Sequence, residues 1–440
     1  MPTKLRTGLQ EDGGRHPSPL NVMNFLNEVA ERYPVAISFA SGRPTEALFD
    51  IQSWLALLPE YVIYHAERSG RSTAETYALL AQYGRTNGLI NELIAKQIGC
   101  DHSINCTPAQ IIVTSGCQEA INILVASLCD GPTDVIMVRD PCYIGITGAA
   151  KLNHVDLVPF LCDDVEQLPD ALYDSVKRAR LAGKRPRVLY LVPDFDNPTG
   201  SVLSRQAREA VIEFCSKEGI FILEDNPYGL FRYEGENVPA MYALDRLGTV
   251  IFLGTYSKTL CPTLRIGYAV VPDGLSRQSG IGVTLLDRLS QIKSFGTVNT
   301  SQITQAIVGA VLLREGCSLH RIVGKGIALY RHQRDIMLAN LVHAFNGLED
   351  HVKWNAPAGG FFLCVELPFD FGRDEVARCA EQFGVLVMPL SFFSFGTHQR
   401  RRVRLAFSYA SEEKIADGIA RFAAYVRYRL INERNTSMSS

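Results

Sequence analysis

From residue 111 to residue 258, short apolar runs alternate with amphipathic stretches, and this alternation restricts the fold more than any other feature. IIVTSG opens into QEAINILVASLC; DVIMVRDP, VLYLVPD, REAVIEFCSKEG, IFILEDNP and VIFLGTYSK follow in order. Near-continuous β-branched runs without polar alternation are what strands look like when helices cover both faces of a parallel sheet. Alternation with helices points to α/β topology. A large α/β domain, a mostly parallel sheet covered by helices, is therefore expected over residues 65–300.

The pattern changes on either side. Beyond residue 300, long helical stretches precede GGFFLCVELP and VRLAFSYA, which read as antiparallel strands of a smaller α+β domain over 301–440. Residues 35–64, with the strand-like ISFASG, are expected to join that smaller domain. Residues 1–34 read as a polar arm rich in Gly, Pro and charge, then a helix, NVMNFLNEVAERY, stopped by Pro34. The NERNTSMSS tail is expected to fray.

Composition narrows the function classes. A formal net charge of −2 implies no polycationic face, which argues against nucleic acid or an anionic membrane as partner. Eleven cysteines lack CxxC pairs or regular spacing, which suggests reduced thiols and a cytoplasmic location. Nine histidines show no HExxH or paired spacing, so no metal site is expected. No apolar run approaches membrane-spanning length, and the N-terminus has no signal-peptide core.

Chemistry gathers where strands end. Lys258 lies just past the VIFLGT run, with Ser257 beside it and Arg265 further on. Such a lysine, met alone, is ordinarily a solvated side chain. It can also form a Schiff base with an aldehyde cofactor, while Ser and Arg suit a phosphate. TSGCQEA places Gly116, Cys117 and Gln118 at a helix N-terminus, an anion site, although an ordinary strand-to-helix turn looks the same. In DFDNPTG, Asn197 is held with its amide free to donate; a turn-forming Asn is the plainer alternative. EDNPYG ends a strand at its carboxyl edge, where open α/β sheets bind ligands. Asp225 there can pair with a pyridine nitrogen, and Tyr228 can donate to a phenolic oxygen. Tyr143, in DPCYIG, offers a ring to stack on a flat cofactor.

In this order the segments SFASGRP, AQYGRTNGLINELI, IIVTSGCQEAI, VPDFDNPTG, EDNPYG, YSKTLCPTLRIGY, GGFF and VRLAFSY resemble fold type I pyridoxal-phosphate enzymes. The likeness is to the class I/II aminotransferases, in the branch with aminoadipate and kynurenine aminotransferases and the catalytic-like domain of MocR-type regulators. It covers roughly residues 35–425. It implies an aspartate aminotransferase-like fold and pyridoxal 5′-phosphate as cofactor. The reaction implied is amino-group exchange between an L-amino acid and a 2-oxo acid. Lys258 would form the Schiff base and shuttle a proton. Asp225 would pair with the ring nitrogen, Asn197 and Tyr228 with the phenolic oxygen, and Tyr143 would stack on the ring. Gly116, Cys117, Gln118, Thr255, Ser257 and Arg265 would bind the phosphate. Arg404 would clamp the substrate carboxylate, with Gly42 leaving room beside it. Tyr83 would reach the cofactor phosphate of a neighbouring subunit, which implies a homodimer with shared active sites.

The chain departs from that pattern at three places. Ser41–Gly42 stands where the branch usually has two glycines, and Arg43 follows; Arg43 either meets the substrate side chain or points to solvent. SPLNVMNFLNEV carries no arginine for a distal carboxylate, so dicarboxylate specificity does not follow. Cys117 replaces a common Ser with little expected loss, because backbone amides do most of the binding there. A reaction of another kind on the same scaffold (cyclisation, elimination or replacement, or oxidation) remains an alternative, since the same Lys, Asp and Arg serve it. The stretch before ISFASG leaves no room for a DNA-binding helix-turn-helix, so a regulator is not expected.

Overall fold

The structure is a computed structural model that describes residues 25, 28, 29, 31–273 and 283–437, with side chains to 432. The first strand is short, β1 (Ile37–Ser38). Seven strands then build the main sheet: β2 (Ile111–Thr114), β3 (Asp134–Asp140), β4 (Asp156–Leu161), β5 (Arg185–Leu191), β6 (Phe221–Asp225), β7 (Val250–Thr255) and β8 (Gly267–Val270). Their spatial order is β2-β8-β7-β6-β5-β3-β4. Strands β3 to β7 pair in parallel, and β8 alone runs antiparallel, between β7 and β2.

Burial follows from this order. Every residue of β2 and β8 is buried, as is β7 up to its last residue, because helices cover both faces. The edge strand β4 is largely exposed, and it carries Pro159, whose missing N–H costs an edge nothing. Crossover helices such as Cys117–Leu128 and Arg205–Glu218 bury one apolar stripe each.

A second layer contains β9 (Lys353–Trp354), β10 (Phe362–Glu366), β11 (Val385–Leu386), β12 (Met388–Pro389) and β13 (Arg402–Ala406). Four of these form an antiparallel sheet in the order β12-β13-β10-β9. The β10–β13 pairing is the one expected from GGFFLCVELP and VRLAFSYA. Strand β1 pairs in parallel with β11. The chain then runs on beside β13, where Ala406 N–H donates to Phe39 O. This brings Ala40 to Arg43 against the strand that carries Arg404.

Helix His320–Ala344 packs on helix Glu412–Ser437, whereas helix Gln302–Arg314 packs on the Leu58–Ser69 and Asn91–His102 helices. The helix ending at Ser437 runs through most of the NERNTSMSS tail, against the expectation of fraying. Residues 1–20 of the N-terminal arm lie outside the described residues. Among the described residues, no helix is long and apolar enough to cross a membrane.

Candidate active site

The carboxyl ends of β2, β6 and β7 open onto one cavity of about 470 Å³, closed on the other side by β10, β13 and the stretch after β1. Of the residues singled out in the sequence, Gly42, Cys117, Gln118, Tyr143, Asn197, Asp225, Tyr228, Thr255, Ser257, Lys258, Arg265 and Arg404 all line it. Tyr83 does not line it and is 81% exposed. Among the described residues, none from 290–300 lines it either, whereas Val29 does.

Lys258 follows β7 by three residues, and its Nζ donates to Gly42 O at 3.1 Å. The Nζ also lies 5.9 Å from the Tyr228 ring centre. Burial, then the nearby cations Arg404 and Arg265, bring its pKa down from 10.5 to about 8. An amine with that pKa is partly neutral at physiological pH and can act as a nucleophile.

Asp225 ends β6 and is buried. Tyr190 Oη donates to its Oδ2 at 2.6 Å, and Cys117 Sγ to its Oδ1 at 3.3 Å. Burial raises the pKa of this carboxyl, and the Tyr190 and Cys117 donors work against that rise. The Cys117 thiol therefore touches the carboxylate, a contact that reading only its backbone had missed.

Arg404 is 4% exposed, its guanidinium 4.2 Å from the Phe362 ring centre and 4.9 Å from that of Phe393. One Nη donates to Asn197 Oδ1 and the other to Ala40 O, each at 2.6 Å. With its oxygen accepting from Arg404, the Asn197 amide keeps its NH₂ as a donor. Arg404 Nε is buried without a hydrogen-bond partner, and no carboxylate of the described residues pairs with the group. Burial brings its pKa down to about 10, so it stays charged at neutral pH. A buried cation without a protein counter-ion, with a free N–H, fits a ligand carboxylate.

The phosphate corner is assembled from two turns. Gly116 caps the Cys117–Leu128 helix at φ 84°, and a Cβ there would lie 2.1 Å from Arg265 Nη2. The amides of Cys117 and Gln118 occupy the first helical turn, which has no carbonyl of its own to offer. Gly116 N–H is already spent on Thr114 O at 2.8 Å. Arg265 donates to Ser257 Oγ at 3.3 Å and to Ser115 O at 3.2 Å, and Thr255 Oγ1 donates to Ser257 Oγ at 3.1 Å. Behind this corner, Glu119 accepts from Ser115 N–H at 2.5 Å and pairs with Lys293 Nζ at 2.9 Å. Cation, hydroxyls and helix N-terminus together suit a phosphate.

These donors fit pyridoxal phosphate. A carboxylate, Asp225, is available for the ring nitrogen and a partly neutral amine for the aldehyde. An anion corner stands ready for the phosphate. The cavity also has an apolar lining, with Val29, Ile144, Leu386, Met388 and Phe393. The Arg43 guanidinium stacks 3.8 Å from the Tyr409 ring centre at its margin. Tyr190 escaped notice in the sequence because VLYLVPD reads as plain core. The available signal was a hydroxyl inside a fully buried strand.

Residues 39–422 match the family model described as aminotransferase class I and II. The chain is 38% identical over 415 residues to (S)-3,5-dihydroxyphenylglycine transaminase of Amycolatopsis orientalis, covering 93% of this chain and 92% of that protein. It is 30% identical to aromatic-amino-acid aminotransferase 1 of Thermococcus litoralis, with 89% and 88% covered. Its fold is similar to the crystal structure of the multiple substrate aminotransferase of Thermococcus profundus, with TM-score 0.79, 26% identity, and 93% and 95% covered. The fold type I architecture expected from the sequence is thus present.

Proposed function

The chain belongs to the class I and II aminotransferase family, and from that membership we propose a substrate class and a role for each residue of the pocket. The enzyme is a pyridoxal-phosphate-dependent aminotransferase. The three similar proteins named above are aminotransferases by name, which supports amino-group exchange over cyclisation, elimination or oxidation.

The donor we propose is an L-amino acid with an aromatic side chain, and the acceptor a 2-oxo acid. The observation that carries this is the apolar lining of Val29, Ile144, Leu386, Met388 and Phe393 in the cavity of the buried Arg404, whose guanidinium lies 4.9 Å from the Phe393 ring centre. Arg43, a cation that also lines the cavity, is stacked on Tyr409. The names of the similar enzymes, one acting on an arylglycine and one on aromatic amino acids, agree with it.

When bound, the cofactor supplies an aldehyde for the amine and a ring that withdraws electrons from the substrate Cα. Arg404 then holds the substrate α-carboxylate through its fork, and Gly42 leaves room beside it. The Lys258 amine would anchor the cofactor and, once released, carry the proton at Cα. Asp225 would hold the ring nitrogen protonated, and Asn197 and Tyr228 would donate to the phenolic oxygen. Tyr143 would cover the ring face. The amides of Cys117 and Gln118, with Gly116 as the turn, and Thr255, Ser257 and Arg265 bind the phosphate.

A homodimer with shared sites is part of the proposal, supported by the exposed Tyr83 and Phe295. A cytoplasmic location is also proposed, supported by eleven cysteines that are all free. Mixing the holoenzyme with aromatic, aliphatic and acidic amino acids, without any acceptor, tests the function. One equivalent of 2-oxo acid per site is expected, fastest from the aromatic donors. Preference for the acidic donors would overturn the substrate class.

A further inference from the structure

Asp225 is held on both oxygens from within the protein. Tyr190 Oη donates to one at 2.6 Å and Cys117 Sγ to the other at 3.3 Å. Tyr190 is 2% exposed and Asp225 4%, so water does not compete for the phenol's bond. Tyr190 lies opposite Leu223 in the β5–β6 pairing, and Asp225 follows Leu223 by two residues. Residues two apart share a sheet face, so strand register itself aims the phenol at the carboxylate. Among the described residues, the phenol has no other hydrogen-bond partner. Cys117 is the first residue of the helix that follows the phosphate turn, so it ties that turn to the carboxylate.

A buried carboxylate and a ring nitrogen beside it compete for one proton. Burial and the neighbouring Asp196 favour the proton on Asp225; Tyr190, Cys117 and Lys258 favour the ionised carboxylate. Each donor to the carboxylate lowers its basicity and leaves the proton on the nitrogen. We propose that Tyr190, assisted by the Cys117 thiol, is a positioning residue that holds Asp225 aimed and ionised, so that the cofactor's ring nitrogen keeps its proton. The proposal rests on the assignment of Asp225 to that nitrogen. Tyr190→Phe keeps the ring packing and removes only the donor; the proton then moves from the nitrogen towards the carboxylate.

The experiment is nitrogen NMR of isotopically labelled pyridoxal phosphate in the holoenzyme, on wild type, Tyr190→Phe, Cys117→Ala and Asp225→Asn. In Tyr190→Phe the signal is expected to move from pyridinium-like towards pyridine-like, with the proton partition changed by roughly tenfold or more, the worth of a hydrogen bond to a charged group. Cofactor Kd should rise and kcat fall, with KM for the amino acid little changed. Cys117→Ala should move the signal the same way by less. It also stands in should Tyr190→Phe not fold; an unmoved signal there then overturns the proposal. A signal that moves in Asp225→Asn but not in Tyr190→Phe overturns the role of Tyr190 while the assignment of Asp225 stands. A signal unmoved in both overturns the assignment, and the proposal with it.

Discussion

Replacing Arg404 by Met removes a buried charge while keeping most of the side chain's volume, and its cost can be worked from the geometry. The guanidinium donates to Asn197 Oδ1 and Ala40 O and holds a buried Nε without a partner. Two losses follow: the fork that grips the substrate carboxylate, and the bond that orients the Asn197 amide. Truncating one partner of a buried, hydrogen-bonded charge pair costs about 2–5 kcal/mol, which is roughly 30-fold to several thousand-fold in kcat/KM. The assay is the half-reaction with an aromatic L-amino acid, run beside the matching amine that lacks the carboxylate. The amine reports only the Asn197 share, because it has nothing for Arg404 to hold. Wild type should strongly prefer the amino acid, and Arg404→Met should lose most of that preference. Arg404→Lys should fall between, since an ammonium keeps the charge without the fork. A loss of the same factor for both substrates would mean that Arg404 is a packing residue and holds no carboxylate.

Because Lys258 is brought from 10.5 to about 8, capture of pyridoxal phosphate by the apo protein should rise with pH around a midpoint near 8, followed by stopped-flow absorbance. The sign for stability follows: between these values the unfolded chain binds a proton the folded one does not, so apo stability should rise with pH from about 8 to 10.5, a slope that Lys258→Met removes in urea titrations. A Cβ on Gly42 would lie 2.1 Å from the Phe362 ring, so Gly42→Ala should cost about 1–3 kcal/mol by overpacking and lower kcat/KM, read by denaturation and kinetics. Lys293 is 0% exposed at its side chain and pairs with Glu119, so Lys293→Ala should destabilise by about 3–5 kcal/mol, checked by urea unfolding, and weaken cofactor retention through Ser115.

Much of the site could be read in the sequence because its parts are local. A Gly before a helix, an Asn between two prolines' turns and an acid at a strand end each declare their chemistry within a few residues. The family resemblance supplied their order, and the structure brings them into one cavity. What could not be read depends on register and on packing between distant segments. Tyr190 meets Asp225 only because β5 pairs with β6 as it does, 35 residues apart in the chain. Cys117 reaches across 108 residues to the same carboxylate. Arg43 had two equal readings until the Tyr409 ring, far along the chain, showed where its guanidinium rests. The helical tail to Ser437 shows the reverse error, a polar composition taken for fraying where the helix continues.

Whether Lys258 carries the cofactor can be tested chemically. Borohydride reduction of the holoenzyme, followed by peptide mass spectrometry, fixes the pyridoxyl group on the lysine that holds it. The label is expected on the peptide containing Lys258, and no label in Lys258→Ala. A label on any other lysine, or one that persists in the variant, would contradict that assignment.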